Sequence, residues 1–202
     1  MRLRRYPGCA MIDECYAEGV ASRGEPDSYW VSKTLHPVLA ISAKDDAWLE
    51  SMAQSLSAVY LHLVFSTKDR HPYLGHRETR EEMHAFLGGI SRQLDCPPII
   101  VGGVEDHVHL LARQARTISQ ADWVKELKRA SSLWIKDRDP SLKRFAWQAG
   151  YGAFSVSVSN LETVAEYVDR QEEHHRKSTF QEELRILLKK HRMEWDERYV
   201  WD

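Results

Sequence analysis

The chain has 202 residues, 43% of them apolar, with 28 basic and 30 acidic side chains and a net charge of −2. That length and balance suit one globular domain with an appendage, and no apolar run approaches the roughly 20 residues a membrane helix needs. Balanced charge does not advertise nucleic-acid binding, which would require a local basic face.

The first residues, MRLRRYPGCA, are basic, but no long apolar segment follows, so a secretory signal is not expected. Further on, RGEPDSYW and HPVL break any periodicity. Residues 1–51 therefore read as a poorly ordered or accessory N-terminal extension. A mis-called start, with translation beginning at Met52, is compatible with the same pattern. So is a small packed appendage docked through Tyr29, Trp30 and Trp48. Residues 52–202 are expected to form the working domain. Cys9, Cys15 and Cys96 lack CxxC spacing and read as reduced thiols of a cytoplasmic protein, not as a disulfide frame or zinc site.

AVYLHLVFST alternates and is rich in β-branched and aromatic residues, which predicts a strand near 58–67. Met83, Leu87, Ile90 and Leu94 recur at helical spacing and predict a helix over 77–95, ended by CPP. IIVGGVED and HVHLLAR read as two strands, with Gly102 and Gly103 allowing a bend. Ser119 and Asp122 mark a helix start, and Val124, Leu127, Ser131 and Trp134 carry one face to about Asp137. FAWQAGYGAFSVSVS predicts a strand entered through glycines. Ser159 and Glu162 read as a capping box opening a helix over 160–176, and Ser178 and Gln181 open a last amphipathic helix through His191. The order suggests an α+β fold, an antiparallel-rich sheet covered by helices in a ferredoxin-like sandwich.

Residues 105–112 read EDHVHLLA. Residues two apart on a strand share a face, so His107 and His109 project together while Val108 points the other way. Two neutral imidazoles placed so can hold one metal ion, although an isolated HxH is more often a solvated strand edge. In EYVDRQEEHH, Leu161, Val164, Ala165 and Val168 form the buried stripe, and Tyr167 and Gln171 lie one turn apart beside it. A phenol and an amide carbonyl on one helical row suit a metal-assisted tyrosine nucleophile. The bland alternative is an amphipathic tyrosine with a wet hydroxyl.

On these stretches the sequence resembles the single-tyrosine HUH transposases of bacterial insertion sequences, the IS two-hundred-like group. The matching segments are VYLHLVFSTKDRHPYL, VGGVEDHVHLLAR, ELKRASSLWIK, WQAGYGAFSVSVS and VAEYVDRQEEHHRKSTFQEEL, covering residues 56–202. The resemblance implies the HUH endonuclease architecture. It implies a transposase that cleaves and rejoins single-stranded DNA at hairpin-marked element ends through a covalent 5′-phosphotyrosine. It implies Tyr167 as nucleophile and His107, His109 and Gln171 as ligands of Mg²⁺ or Mn²⁺. A homodimer acting on the nucleoid, without a membrane, is implied as well. The alternatives are a domesticated hairpin-DNA-binding protein, or a host-adapted single-strand nuclease acting on repeated extragenic hairpins. A metal-dependent hydrolase using water is a further possibility.

DNA contact is expected along the row Lys125, Arg129, Ser132 and Lys136, with Ser131 or Ser132 adding a hydroxyl donor. The competing reading is a solvated helix face. Arg113, Lys68 and Arg70 are lesser candidates. His62, on the first strand, could approach the site but reads first as structural, and His174 and His175 read as either solvent-exposed or proton-transferring. Trp147 reads as core, and Tyr151 as a residue able to stack on bases.

Overall fold

The structure is a computed structural model describing residues 55–176, 178–198 and 200. The proposed extension 1–51, with Cys9 and Cys15, lies outside the described residues. Four strands, β1 (Tyr60–Ser66), β2 (Pro98–Gly103), β3 (His107–Arg113) and β4 (Gly152–Val156), form one sheet in the order β2-β3-β1-β4. Every neighbouring pair is antiparallel. Helix α1 (Arg77–Gln93) connects β1 to β2, and α2 (Gln120–Arg138) connects β3 to β4. This is the ferredoxin-like arrangement expected, in which β3 inserts between β1 and β2.

The two faces of the sheet have different coverings. Leu61, Leu63 and Phe65 of β1 and Val108, Leu110 and Ala112 of β3 pack with Met83, Leu87 and Ile90 of α1. Trp123, Val124, Leu127 and Ile135 of α2 complete that core. Each large side chain buried there contributes about 1.5–3 kcal/mol. Residues opposite one another in register share a face. The other face therefore carries His62, Val64 and Ser66 beside Leu111, His109 and His107, with Gly102 on β2 and Gly152 and Phe154 on β4.

Three helices after β4 cover that second face: α3 (Leu161–Asp169), α4 (Gln171–His174) and α5 (Phe180–Lys190). Phe180, Leu184 and Leu188 of α5 pack with Val64 and Phe154. Helix α3 sits closely on β2. A Cβ on Gly102 would lie 2.6 Å from the Val168 carbonyl oxygen and 2.9 Å from its Cγ1, so only glycine admits this approach. Gly103 has φ of +141°, which forms the expected bend before β3.

Local details differ from expectation at three places. The helix expected over 160–176 is divided at Arg170 (φ −95°, ψ 20°), where Gln171 turns to Glu183 of α5 and Glu172 pairs with Arg80 of α1. Ser159 bonds Ser157 instead of capping. Residues Val158–Asn160 make a 3-10 turn, and Asn160 starts α3 without a side-chain cap. The last helix begins one residue later than expected, with Thr179 and Glu182 forming the capping box in place of Ser178 and Gln181. Ser119 caps α2 as expected, accepting from the Asp122 N–H at 3.1 Å. Among the described residues, no helix is long and apolar enough to cross a membrane.

Candidate metal centre and tyrosine site

The alternation of β3 sends both imidazoles into the layer between sheet and helices, where His107 and His109 are fully buried. Their ring centroids are 5.0 Å apart. Each ring has one nitrogen engaged. His107 Nδ1 lies 2.7 Å from Asp106 Oδ1, and His109 Nδ1 lies 2.8 Å from His62 Nε2 on the neighbouring strand. The Nε2 atoms of His107 and His109 are buried without a hydrogen-bond partner. A ring whose Nδ1–H is donated to an acceptor presents a lone pair at Nε2, the form a metal takes.

Tyr167 on α3 and Gln171 on α4 reach the same place. The Tyr167 ring stands edge-on to His109, with centroids 5.9 Å apart. The Gln171 side chain is 1% exposed, and its Oε1 is the third buried atom there without a partner. Its amide donates to Glu183 Oε1 at 2.9 Å. The Tyr167 hydroxyl donates to the same oxygen. Glu183 Oε2 meets His175 Nε2 at 2.9 Å. The carboxylate oxygens are 3.5 Å from His107 Nε2 and 3.5 Å from His109 Nε2. One ligand atom from each of His107, His109, His175 and Glu183 lies within 4.8 Å of the others. The four groups expected from sequence thus converge within one chain. The three orphaned atoms fit a cation, because burial without a partner is costly for them and ligation relieves it.

Burial also sets the charge state. It drives His109 and His62 well below the ordinary imidazole value, helped in His109 by His107 and in His62 by His109. Burial and then His107 lower His175 to about 4. The Glu183 carboxyl is pushed up to about 7 by burial, against the pull of His107. The rings of His62, His109 and His175 are therefore held neutral, the form in which an imidazole ligates a metal. A cleft of ≈ 640 Å³, lined by Arg70, Asp106, His175, Arg176 and Phe180, opens beside the cluster.

The basic row lies elsewhere. Lys125, Arg129, Ser132 and Lys136 line a groove of ≈ 490 Å³ between α2 and the segment ending in Tyr151. Arg129 is paired with Glu126, while Tyr151 is 41% exposed, as base stacking would need. Ser131 faces inward, bonding the Leu127 carbonyl at 2.6 Å and accepting from Trp147 Nε1 at 2.9 Å. The sequence-based expectation that it donates to DNA therefore fails, and Trp147 is core. Arg113 ends β3, six residues and roughly 20 Å from His107 along the strand, away from the groove. Gln148 ties the groove to the site face: its N–H donates to the Ser66 carbonyl at 2.9 Å, and Ser66 is the register partner of His107.

The sequence-based expectations include no role for Glu183 or Asp106, while His62, which could approach the site from the first strand, does stand against His109. Glu183 had a signal, since FQEELRILLKK places a carboxylate beside Phe180, Leu184 and Leu188 on the buried stripe. Asp106 pairs with its own neighbour His107, and His62 meets His109 only once β1 and β3 are paired.

The model of the family described as "Transposase IS200 like" matches residues 55–171. A candidate transposase from Deinococcus radiodurans R1 is 25% identical, covers 60% of this chain and 96% of its own, and superposes with a TM-score of 0.49. A REP-associated tyrosine transposase bound to a REP hairpin is 10% identical, covers 61% of this chain and 72% of its own, with a TM-score of 0.47. No curated protein matches.

Proposed function

Because the chain belongs to the IS200-like transposase family, we propose that it cleaves and rejoins single-stranded DNA at hairpin-marked element ends through a covalent 5′-phosphotyrosine. The carrying observation is that the Tyr167 hydroxyl stands one carboxylate away from three buried, unpartnered donor atoms. His107, His109 and Gln171 would hold the divalent ion. Mg²⁺ or Mn²⁺ suits a phosphate substrate, and imidazole donors favour Mn²⁺. When bound, the ion supplies Lewis-acid polarisation of the phosphate and stabilisation of the departing oxygen.

The side chains do the rest. The Asp106 carboxylate accepts the Nδ1–H of His107 and fixes its tautomer, and His62 orients the His109 ring through its Nδ1, leaving both Nε2 atoms for the ion. The Tyr167 oxygen attacks phosphorus. Its bond to phosphorus forms as the P–O3′ bond breaks, the phenol proton leaves, and the 3′ oxygen ends as a free hydroxyl. The ester energy is retained, so a 3′-hydroxyl can reverse the step and rejoin DNA without ATP. Lys125, Lys136 and Arg129 hold the phosphate backbone, and Tyr151 stacks on an unpaired base. Residues 52–202 act as the catalytic domain and 1–51 as an accessory. The working unit is a homodimer.

A labelled single-stranded hairpin substrate with Mn²⁺ tests this. Wild type cuts it, and Tyr167→Phe cuts at least about a thousandfold more slowly. Undiminished cleavage by Tyr167→Phe would make water the nucleophile and overturn the proposal.

A further inference from the structure

Glu183 lies twelve residues beyond Gln171, where the family match ends. It is 2% exposed, on the stripe of α5 that packs against the sheet. Among the described residues, every ion-pair partner of this carboxylate is a histidine. A carboxylate sunk among imidazoles with no lysine or arginine to balance it is an unfavourable arrangement unless a cation joins it.

Resting on the function above, we propose that Glu183 is a further protein ligand of the divalent ion, so that the C-terminal helix completes the metal centre. Its two oxygens stand 3.5 Å from the unpartnered Nε2 atoms of His107 and His109. Two neighbouring ligands each roughly 2.1 Å from an octahedral ion are about 3 Å apart, so a closure of roughly half an ångström brings the carboxylate and the imidazoles onto one ion. The residue also has a positioning role. Glu183 Oε1 accepts the Tyr167 hydroxyl and the Gln171 amide together, so ligation fixes the phenol oxygen one hydrogen bond from the ion. His175 holds the other oxygen at 2.9 Å. The Thr179–Glu182 capping box, one turn earlier, fixes the start of α5 and with it the depth at which Glu183 enters.

Mn²⁺ binding to the full chain, read by loss of the free-ion electron paramagnetic resonance signal, tests the assignment. Glu183→Gln is expected to weaken Mn²⁺ binding at least about tenfold, as His107→Ala does, with the circular dichroism of the metal-free protein unchanged. If His107→Ala loses Mn²⁺ while Glu183→Gln binds as wild type does, the Glu183 assignment fails and the proposed function stands. If wild type binds no Mn²⁺, both fail. Anomalous diffraction at the manganese edge from wild-type crystals removes any dependence on how the variant folds. A peak within about 2.5 Å of a Glu183 oxygen supports the assignment. A peak on His107 and His109 with Glu183 turned away overturns it.

Discussion

His84 on α1 has a buried Nε2 without a partner, and burial, then Arg80, lowers its pKa to about 4. In the unfolded chain the same ring titrates near its ordinary 6.5. Between those values the unfolded state binds a proton that the folded state refuses. Stability is therefore full above pH 6.5 and falls as pH drops toward 4. His175 behaves alike, and His62 and His109 shift in the same direction. Glu183 acts oppositely: its raised value of about 7 means its contribution is present below 4.5 and lost as pH rises toward 7. Four rings outweigh one carboxyl, so the metal-free protein should melt at progressively lower temperature from pH 6.5 to 4. His84→Gln should flatten that slope, as thermal denaturation across the range would reveal. An unchanged slope would mean that His84 is protonated in the fold. None of this could be read from EEMHAF, where His84 sits beside the core residue Met83 with nothing to mark the depth of its ring.

At the scale of elements, the site depends on how near α3 comes to the sheet. Gly102 pairs with His109 in register and takes Val168 directly against its Cα, one residue from Tyr167. Gly102→Ala adds one carbon at a position already filled, and its φ is not in the left-handed region, so the cost is steric. The expected loss is about 1–3 kcal/mol of stability. A Tyr167 displaced by about 1 Å should also lower cleavage roughly a hundredfold. Melting temperature and single-turnover cleavage would measure the two effects, and a fully active Gly102→Ala would contradict the tight seating of α3.

The same scale explains what the sequence disclosed. Alternation on β3 put His107 and His109 on one face by backbone period alone, whereas Tyr167 and Gln171, four residues apart, lie on either side of the break at Arg170 and meet at the shared Glu183 oxygen. The break at Arg170 was hidden, since neither proline nor glycine marks it and the ties that accompany it run to Glu183 and Arg80, remote in sequence. Glu183 looks like one acid among several in QEEL unless the stripe of Phe180, Leu184 and Leu188 is traced past it.

For the whole molecule, the ferredoxin-like sheet separates two tasks. One face and α2 present the basic groove with Tyr151, and the other encloses the histidines and the tyrosine. The Gln148 segment joins the sheet at Ser66, whose register partner is His107, so the groove and the histidine site meet the same end of β1. The strand order followed from the element order and the rule that a split β-α-β crossover leaves room for a third strand. Which of the two adjacent serines faces outward was less visible, because Ser131 and Ser132 are indistinguishable until Trp147 takes the former as its acceptor.

The central claim is that Tyr167 becomes the bond between protein and DNA. Wild-type protein incubated with single-stranded hairpin ends and Mn²⁺, digested with protease and nuclease and sequenced by tandem mass spectrometry, tests it most directly. The expected result is a 5′-nucleotide remnant on the peptide bearing Tyr167 and on no other tyrosine. Cleaved DNA with every tyrosine unmodified, or the remnant on Tyr151, would contradict it.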